Sequence, residues 1–400
     1  MAHEPHLDSA AGWVAVGVAF VSTGTVFGVA YGFGAFFAPM AAEFGSGSGA
    51  TSAVFSLTAF CFFTLGSVSG RAADRFGPRP VLLVGAAALV VGLLVTSRVQ
   101  QLWAGYLSYG LGVGVAVACG YVPMVAVVGA WFDRRRGLAL AVAVAGIGVG
   151  TLVGAPLAAA LIGAYGWRTT FVLLGVGGAV LLLGCAAVVR RPPRGPGPAP
   201  LPVRELARTG AFGSLYASTV LAALALFVPL VFLPSFAARL GADPVAGATL
   251  VGIVGVASVL GRLAIGGLAD RLGRVRTYQT SFAILAASFP IWALASSYGV
   301  LVVFAVVLGV GYGGWIALQP AVIADVFGLR GLGGVVGLIY TAGGVGALVG
   351  PTVAGLIIDV SGGYGGAVLL AGLAGLGSLL ALLPLGRLPR PADREPKSDG

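Results

Sequence analysis

One cation in this chain stands where a charge is costly. Arg262 is embedded in apolar sequence eight residues before Asp270, and at a helical rise of 1.5 Å per residue that places it about 12 Å inward of the acid. A guanidinium at such a depth costs several kcal/mol unless it meets a cavity or a counter-charge. A carboxylate held in two-point contact would meet that need. The competing expectation is that Arg262 snorkels towards the basic end or bonds backbone carbonyls of a neighbouring helix. Other hydrogen-bonding groups in apolar surroundings are Tyr31, Tyr121, Trp315, Gln319 and Tyr340. Trp315 and Gln319, four apart, share a helix face. Such groups in an apolar cleft suit ligand binding, although Tyr and Trp also mark membrane interfaces and Gln can bond across helices. The apolar runs carry no His, no HExxH and no nucleophile beside a base, so enzyme, metal and cofactor chemistry are not expected.

The elements that position these residues are membrane helices. Hydrophobic residues make up 58% of the chain and charged ones only 9%, with mean hydropathy +1.01, which excludes a soluble globular domain. One crossing needs about 20 apolar residues. Twelve such runs fit, near 12–40, 53–70, 80–97, 102–130, 138–163 and 169–189, then 211–237, 247–268, 278–297, 299–323, 334–358 and 365–386. Their continuity favours helices over barrel strands. The fold class expected is an all-α membrane protein, with a tail at 1–11, a six-helix bundle at 12–189, a Pro-rich linker at 190–210, a second bundle at 211–386 and a tail at 387–400.

Charge sets the topology. Arg71, Arg75, Arg79, Arg134, Arg135, Arg136, Arg190, Arg191, Arg194, Arg204, Arg208, Arg271, Arg274, Arg276, Arg330, Arg387, Arg390, Arg394 and Lys397 fall on alternate loops and the C-terminal tail, whereas Arg98, Arg168 and Arg239 fall on the others. Basic loops are retained on the cytoplasmic side, so both termini are expected there, in the cell membrane. The net charge of +10 then reports orientation, and no nucleic-acid partner is implied. Cys61, Cys119 and Cys185 read as small packing residues, His3 and His6 as bystanders in the tail. Met1 to Ala11 lacks the basic start of a cleavable signal.

The chain repeats itself. Gly70-Arg71-Ala72-Ala73-Asp74-Arg75-Phe76-Gly77 is matched by Gly266-Gly267-Leu268-Ala269-Asp270-Arg271-Leu272-Gly273, and the separation, 270 − 74, is 196 residues. Gly148-Val149-Gly150-Thr151-Leu152-Val153-Gly154 and Gly344-Val345-Gly346-Ala347-Leu348-Val349-Gly350 stand at the same separation. Two unlike motifs at one offset imply a duplicated six-helix unit with a pseudo-twofold axis. Gly146, Gly150 and Gly154 with Pro156, and Gly346 and Gly350 with Pro351, are expected to pack helices closely and bend them.

The segment Gly70 to Arg79, with Asp74, Arg75 and Gly77, resembles the loop signature of the major facilitator superfamily, and Gly266 to Arg276, with Asp270, Arg271, Gly273 and Arg274, repeats it. The resemblance implies two bundles rocking about a central site, with a latch on the cytoplasmic face involving these residues and Asp133, Arg135, Arg136 and Asp325. Within the superfamily, Gly12-Trp13-Val14, Tyr31 to Phe37, Trp131 to Ala139, Gly166-Trp167-Arg168 and Asp325 to Gly328 resemble the monocarboxylate porters and the oxalate/formate antiporters. That likeness implies a functional Arg in helix eight, at Arg262. It also marks departures: Ser258 stands where proton-coupled porters carry Asp, Tyr31 where they carry Lys, and helix eleven lacks the Lys of oxalate exchange. A two-cation clamp for dicarboxylates and a proton relay through helix eight are therefore not expected. The function implied is alternating-access transport of a small organic anion by symport or exchange, with a proton or counter-anion as companion and the monomer as working unit. The runner-up is a proton-driven exporter of hydrophobic compounds, disfavoured because the acids sit at helix ends.

Overall fold

The computed structural model describes residues 7–193, 209–328 and 332–386, and nothing but helices and short connections occurs among them. The elements are α1 (Ala10–Tyr31), α2 (Phe33–Phe44), α3 (Ser48–Phe76), α4 (Pro78–Thr96), α5 (Leu102–Gly105), α6 (Gly112–Gly120), α7 (Val122–Trp131), α8 (Arg136–Val188), α9 (Gly210–Arg239), α10 (Pro244–Leu272), α11 (Arg274–Ala293), α12 (Tyr298–Phe327), α13 (Leu332–Ser361) and α14 (Gly365–Leu382). A π-helical turn, Tyr106–Leu111, joins α5 to α6.

Ten helical runs among the described residues are long and apolar enough to cross a membrane. One of them, α8, has 53 residues and breaks at Gly166, whose φ of 77° lies in the left-handed region open chiefly to glycine. Its two legs replace the separate helices expected at 138–163 and 169–189. The shorter α11 begins with the polar run Arg274-Val275-Arg276-Thr277-Tyr278-Gln279 and is not among the ten. Counting twelve crossings requires both legs of α8 and also α11.

The signature segments are not loops throughout. Helix α3 runs on to Phe76 and α10 to Leu272, so Asp74, Arg75 and Arg271 occupy last helical turns. The turns themselves are confined to Gly77 and Gly273, with φ of 92° and 87°, where any side chain would be strained.

Packing follows the internal repeat. In the first half Gly150 abuts Gly24 of α1, and Gly154 abuts Gly28; in the second, Gly346 abuts Val220 of α9, and Gly350 abuts Leu224. Both partners of each pair are shifted by the same 196 residues. The seams between the halves obey the same rule: Gly148 of α8 lies on Val259 of α10, and Gly344 of α13 lies on Phe63 of α3. Close backbone approach at glycine substitutes for the hydrophobic drive that lipid cannot provide.

The two ends of the bundle differ. At the basic end Asp8 donates its backbone N–H to Trp131 O at 3.0 Å, and Gln279 donates to Leu382 O at 2.9 Å, so the described chain starts and stops at that end. At the opposite end Asp359 of α13 accepts from the backbone N–H groups of Ser48 and Gly49 at 2.6 and 2.9 Å. Ser52 donates to Pro351 O at 2.9 Å, and Thr352 to Ser56 Oγ at 3.1 Å. The α3–α13 seam is thereby closed at that end. Nearby, Glu43 accepts from Trp167 Nε1 at 2.6 Å and pairs with Arg168, also at 2.6 Å. Arg168 further donates to the Ser97 and Val99 carbonyls, each at 2.8 Å, tying α2, α4 and α8 together.

Candidate functional site

Arg262 projects from α10 into the region between the halves. Its Nη1 donates to Val144 O of α8 at 3.1 Å, and its guanidinium carbon lies 5.9 Å from the Tyr312 ring centroid. Nε and Nη2 are buried and make no hydrogen bond among the described residues. The expected backbone contact therefore exists but uses only part of the donor fork. A buried donor left unpaired costs about 1–3 kcal/mol, and more on a charged group.

Four tyrosines lie in the neighbourhood of the guanidinium, Tyr312 with its ring 5.9 Å away and Tyr31, Tyr121 and Tyr340 within reach of its charge. The Tyr31 hydroxyl neighbours that of Tyr312, and the Tyr121 hydroxyl that of Tyr340. Aromatic neighbours hold them: Tyr31 lies 5.1 Å from Phe27 and 6.2 Å from Phe227, Tyr121 lies 5.2 Å from Phe27, and Tyr340 lies 6.0 Å from Phe63. The result is one cation among phenol hydroxyls inside an apolar wall, able to pair with and orient a single negative charge.

Trp315 and Gln319 line the adjoining cavity together with Thr219, Tyr312 and Tyr340. Gln319 donates to Thr219 Oγ1 at 3.1 Å, and the buried Tyr278 hydroxyl neighbours Gln319, Thr219 and the Trp315 indole. The cavity measures only ≈ 20 Å³, room for about one water molecule. A much larger cleft of ≈ 650 Å³ lies between α1 and the two legs of α8, but apolar side chains, glycines and Thr25 line it and Arg262 is not among them. Chemistry, not size, therefore selects the central site.

Ser258 is the exception among the expected binding residues. It is fully buried, and its hydroxyl donates to Gly255 O of its own helix at 2.7 Å. A Cβ at Gly313 of α12 would overlap the Ser258 backbone, so this stretch serves helix contact. Tyr312 and Thr219 belong to the cluster and were absent from the sequence reading. Tyr312 was discernible, since 312, 315 and 319 fall on one helical face; Thr219 carried no comparable signal.

The residues assigned to a latch are dispersed. Arg274 pairs with Asp325 at 2.7 Å, joining α11 to α12 within one half. Arg191 donates to Phe76 O at 2.7 Å and lies against Gly77, while the Arg75 guanidinium covers the Phe76 ring. Asp74, Arg75, Arg79 and Arg135 are exposed, and so is Gly273. The Arg136 guanidinium lies beside Gly129. Asp133, Arg134 and Arg135 direct their backbone N–H groups at the Asp8 carboxylate, at 3.2 to 3.4 Å. The side chain of Asp270 lies outside the described residues, as does most of the linker at 190–210 and the tail at 387–400. Gly70 has only Val122 near it, at 3.8 Å from a notional Cβ. Among the packing residues, Gly146 abuts Phe20 O and Thr23 of α1, and Pro156 and Pro351 lie within α8 and α13.

This helical architecture around a buried cation is that of a membrane transporter, and the chain belongs to the Major Facilitator Superfamily, whose family model matches residues 18–227 and 215–400. It is 34% identical to Monocarboxylate transporter 3 of Rattus norvegicus over 92% of this chain and 79% of that one. Identity to Monocarboxylate transporter 4 of Mus musculus is 30%, covering 98% and 87%; to Monocarboxylate transporter 13 of Rattus norvegicus it is 31%, covering 94% and 90%. These relatives are transporters, not enzymes. Among solved structures, a bacterial homologue of the human lysosomal transporter Spinster, captured inward-facing and unoccupied, superposes with a TM-score of 0.69 at 15% identity, covering 95% of this chain and 96% of that one; this likeness concerns the fold.

Proposed function

We infer that this protein carries small monocarboxylates across the cell membrane by alternating access, Arg262 receiving the carboxylate and Tyr31, Tyr121, Tyr312 and Tyr340 lining its site. The supporting observation is the buried, partnerless pair of donors on Arg262. A carboxylate supplies two acceptors and one negative charge, which match that vacancy in number and sign. The names and coverage of the relatives point the same way.

Among the described residues every acid lies in a connection or near a helix end. None of these stands at the depth of Arg262 to carry a proton with the substrate, and the exporter reading loses its usual acid. Exchange of one anion for another is favoured over proton symport, because an empty carrier must reorient with Arg262 unpaired. In this reading the chain works as a monomer with twelve crossings, its basic end and both termini in the cytoplasm.

Uptake of labelled small carboxylates into proteoliposomes tests the reading. Two charge-assisted hydrogen bonds are worth about 3–6 kcal/mol together, so Arg262→Ala should abolish saturable uptake, and Arg262→Lys, without the planar fork, should retain little. Carboxylate uptake indifferent to both changes would remove Arg262 from the site.

A further inference from the structure

The first half carries a groove whose counterpart positions in the second half are filled. A cavity of ≈ 450 Å³ lies between α4 and the stretch from α5 to α6, with Val91, Val95, Trp103, Leu107, Ser108 and Leu111 on its walls; ligand pockets are commonly of this size. Val91, Val95 and Leu107 are exposed, so the groove opens sideways, to lipid. Its floor is a backbone contact, since a Cβ at Gly92 would fall 2.8 Å from Gly112 Cα. One wall is the π-helical turn Tyr106–Leu111, a distortion frequent at functional sites.

The positions 196 residues on differ in kind. Gly92 and Gly112 correspond to Ser288 and Leu308. Thr96 and Ser108, hydrogen-bonded at 2.8 Å, correspond to Trp292 and Phe304, whose rings stack at 5.0 Å. The counterpart of the π turn is ordinary α-helix within α12. The repeated fold therefore does not require the groove.

One end of the groove carries a charge. Arg98 follows α4 directly, donates its backbone N–H to Val95 O at 2.9 Å and is exposed. Arg168 pins this turn by donating to the carbonyls of Ser97 and Val99, but its own charge is met by Glu43. Arg239, at the same end, covers the Tyr364 ring. Arg98 is the one of these three cations without a partner among the described residues. Trp103, exposed and bonded to Gln101, marks the headgroup level.

An occupant must therefore join an apolar chain to an anion at headgroup depth, as a phospholipid does. A second copy of this chain has no acid to spare at this end: Glu43 is held by Arg168, Asp359 by Ser48 and Gly49, and Asp243 by Val245 and Ala246. A phosphatidylcholine brings its own ammonium to its phosphate, whereas an anionic headgroup keeps its negative charge for an arginine. We propose that the groove binds an anionic phospholipid of the leaflet opposite the basic loops, with its phosphate on Arg98 and one acyl chain along α4 between Val91, Val95, Leu107 and Leu111.

Photo-cross-linking of the whole protein in phosphatidylcholine vesicles tests this. Tracer phosphatidylglycerol and tracer phosphatidylcholine, with the same diazirine-bearing acyl chain, are compared at equal fractions, and adducts are located by residue. One Arg near a lipid surface is worth about a fivefold factor, so groove adducts should be more abundant by that factor with phosphatidylglycerol. Arg98→Gln should bring the two yields together. Val91→Phe, which fills the groove from an exposed position, should lower both there while leaving adducts at the basic end unchanged. Equal yields in the unmodified protein would overturn the proposal without recourse to any variant. Adducts spread evenly over the lipid-facing helices would do the same, as would a preference that survives Arg98→Gln or groove yields indifferent to Val91→Phe.

Discussion

Replacing Asp359 should loosen the closed end of the transporter. Its carboxylate accepts from the Ser48 and Gly49 N–H groups at 2.6 and 2.9 Å, across the seam between α13 and α3. Hydrogen bonds to a charged group are worth about 1.5–3 kcal/mol each when protected, but Asp359 is solvent-exposed, and screening reduces the pair to about 1–2 kcal/mol. Removal of the pair should therefore shift the closed-to-open ratio at that end by about 5- to 30-fold. Nitroxides at Ala50 and Ser361, both exposed beside the seam, would report the shift as a longer-distance population in Asp359→Ala by double electron–electron resonance.

Part of the lost energy is a helix cap and not a lock, and the structure offers a way to separate them. Helix α3 begins after Gly47, which has no side chain to cap it, and Asp359 serves in its place. The position 196 residues on is Asp243, which caps α10 in cis by accepting from Val245 and Ala246 at 2.9 and 3.0 Å. The counterpart of Asp359 is Gly163, which has nothing near it. Adding Gly47→Asp to Asp359→Ala should therefore recover thermal stability through a cis cap while the open population stays high. If the distance distribution is unchanged in Asp359→Ala, or returns to the closed form in the double variant, the cross-half bond is not what holds this end shut.

Two further outcomes follow from local geometry. A Cβ at Gly150 would run into Gly24 O, so Gly150→Val should destabilise the first half by roughly 1–3 kcal/mol or more, seen as a lower Tm in detergent, while Gly163→Ala, in open space, should be neutral. For Asp8, desolvation pushes the carboxyl up, but N–H groups of Arg135, Arg134 and Asp133 and the charge of Arg134 pull it further down, so its pKa lies below the usual carboxylate value. A depressed folded-state pKa contributes stability above the unfolded value of about 3.9 that is lost as pH falls through the folded one. Asp8→Asn should accordingly speed amide exchange at Arg134 and Arg135 near neutral pH, and the difference from the unmodified protein should vanish once the medium is acid enough to protonate Asp8.

The scaffold was legible because it is written twice. Lipid imposes long apolar runs, close packing imposes glycine, and tight turns impose glycine with positive φ, so Gly77 and Gly273, or Gly150 and Gly346, announce themselves at one offset. Helix ends were less visible than helix breaks: the break at Gly166 falls in the gap left between 163 and 169, whereas α3 runs on past Asp74 to Phe76. The Asp359 cap lay beyond sequence reasoning because its partners are more than 300 positions away and are backbone groups, which carry no sequence signature.

The chemistry, by contrast, is written once, and that is the sense in which the site could be read. Shifting the central residues by 196 positions pairs Arg262 with Gly66, Tyr312 with Ala116, Trp315 with Cys119, Gln319 with Pro123, Tyr340 with Val144, Tyr31 with Phe227 and Tyr121 with Ala317. Thr219 has a polar twin in Thr23; each of the others has an apolar or small counterpart in the other half. A duplicated unit buries its own core by symmetric means, so a polar side chain at a buried position with no polar twin is not needed for the fold and costs energy there. Five of these seven, Arg262, Tyr312, Trp315, Gln319 and Tyr340, belong to the second half, which holds the charge, while the first half contributes Tyr31, Tyr121, apolar walls and the carbonyl of Val144, the position equivalent to Tyr340, to which Arg262 bonds. The guanidinium is thus held by one half and partly satisfied by the other; under the proposed function, separation of the halves at Val144 would expose a third donor as the site opens, and a carboxylate arriving from that side would meet the fork at its most incomplete.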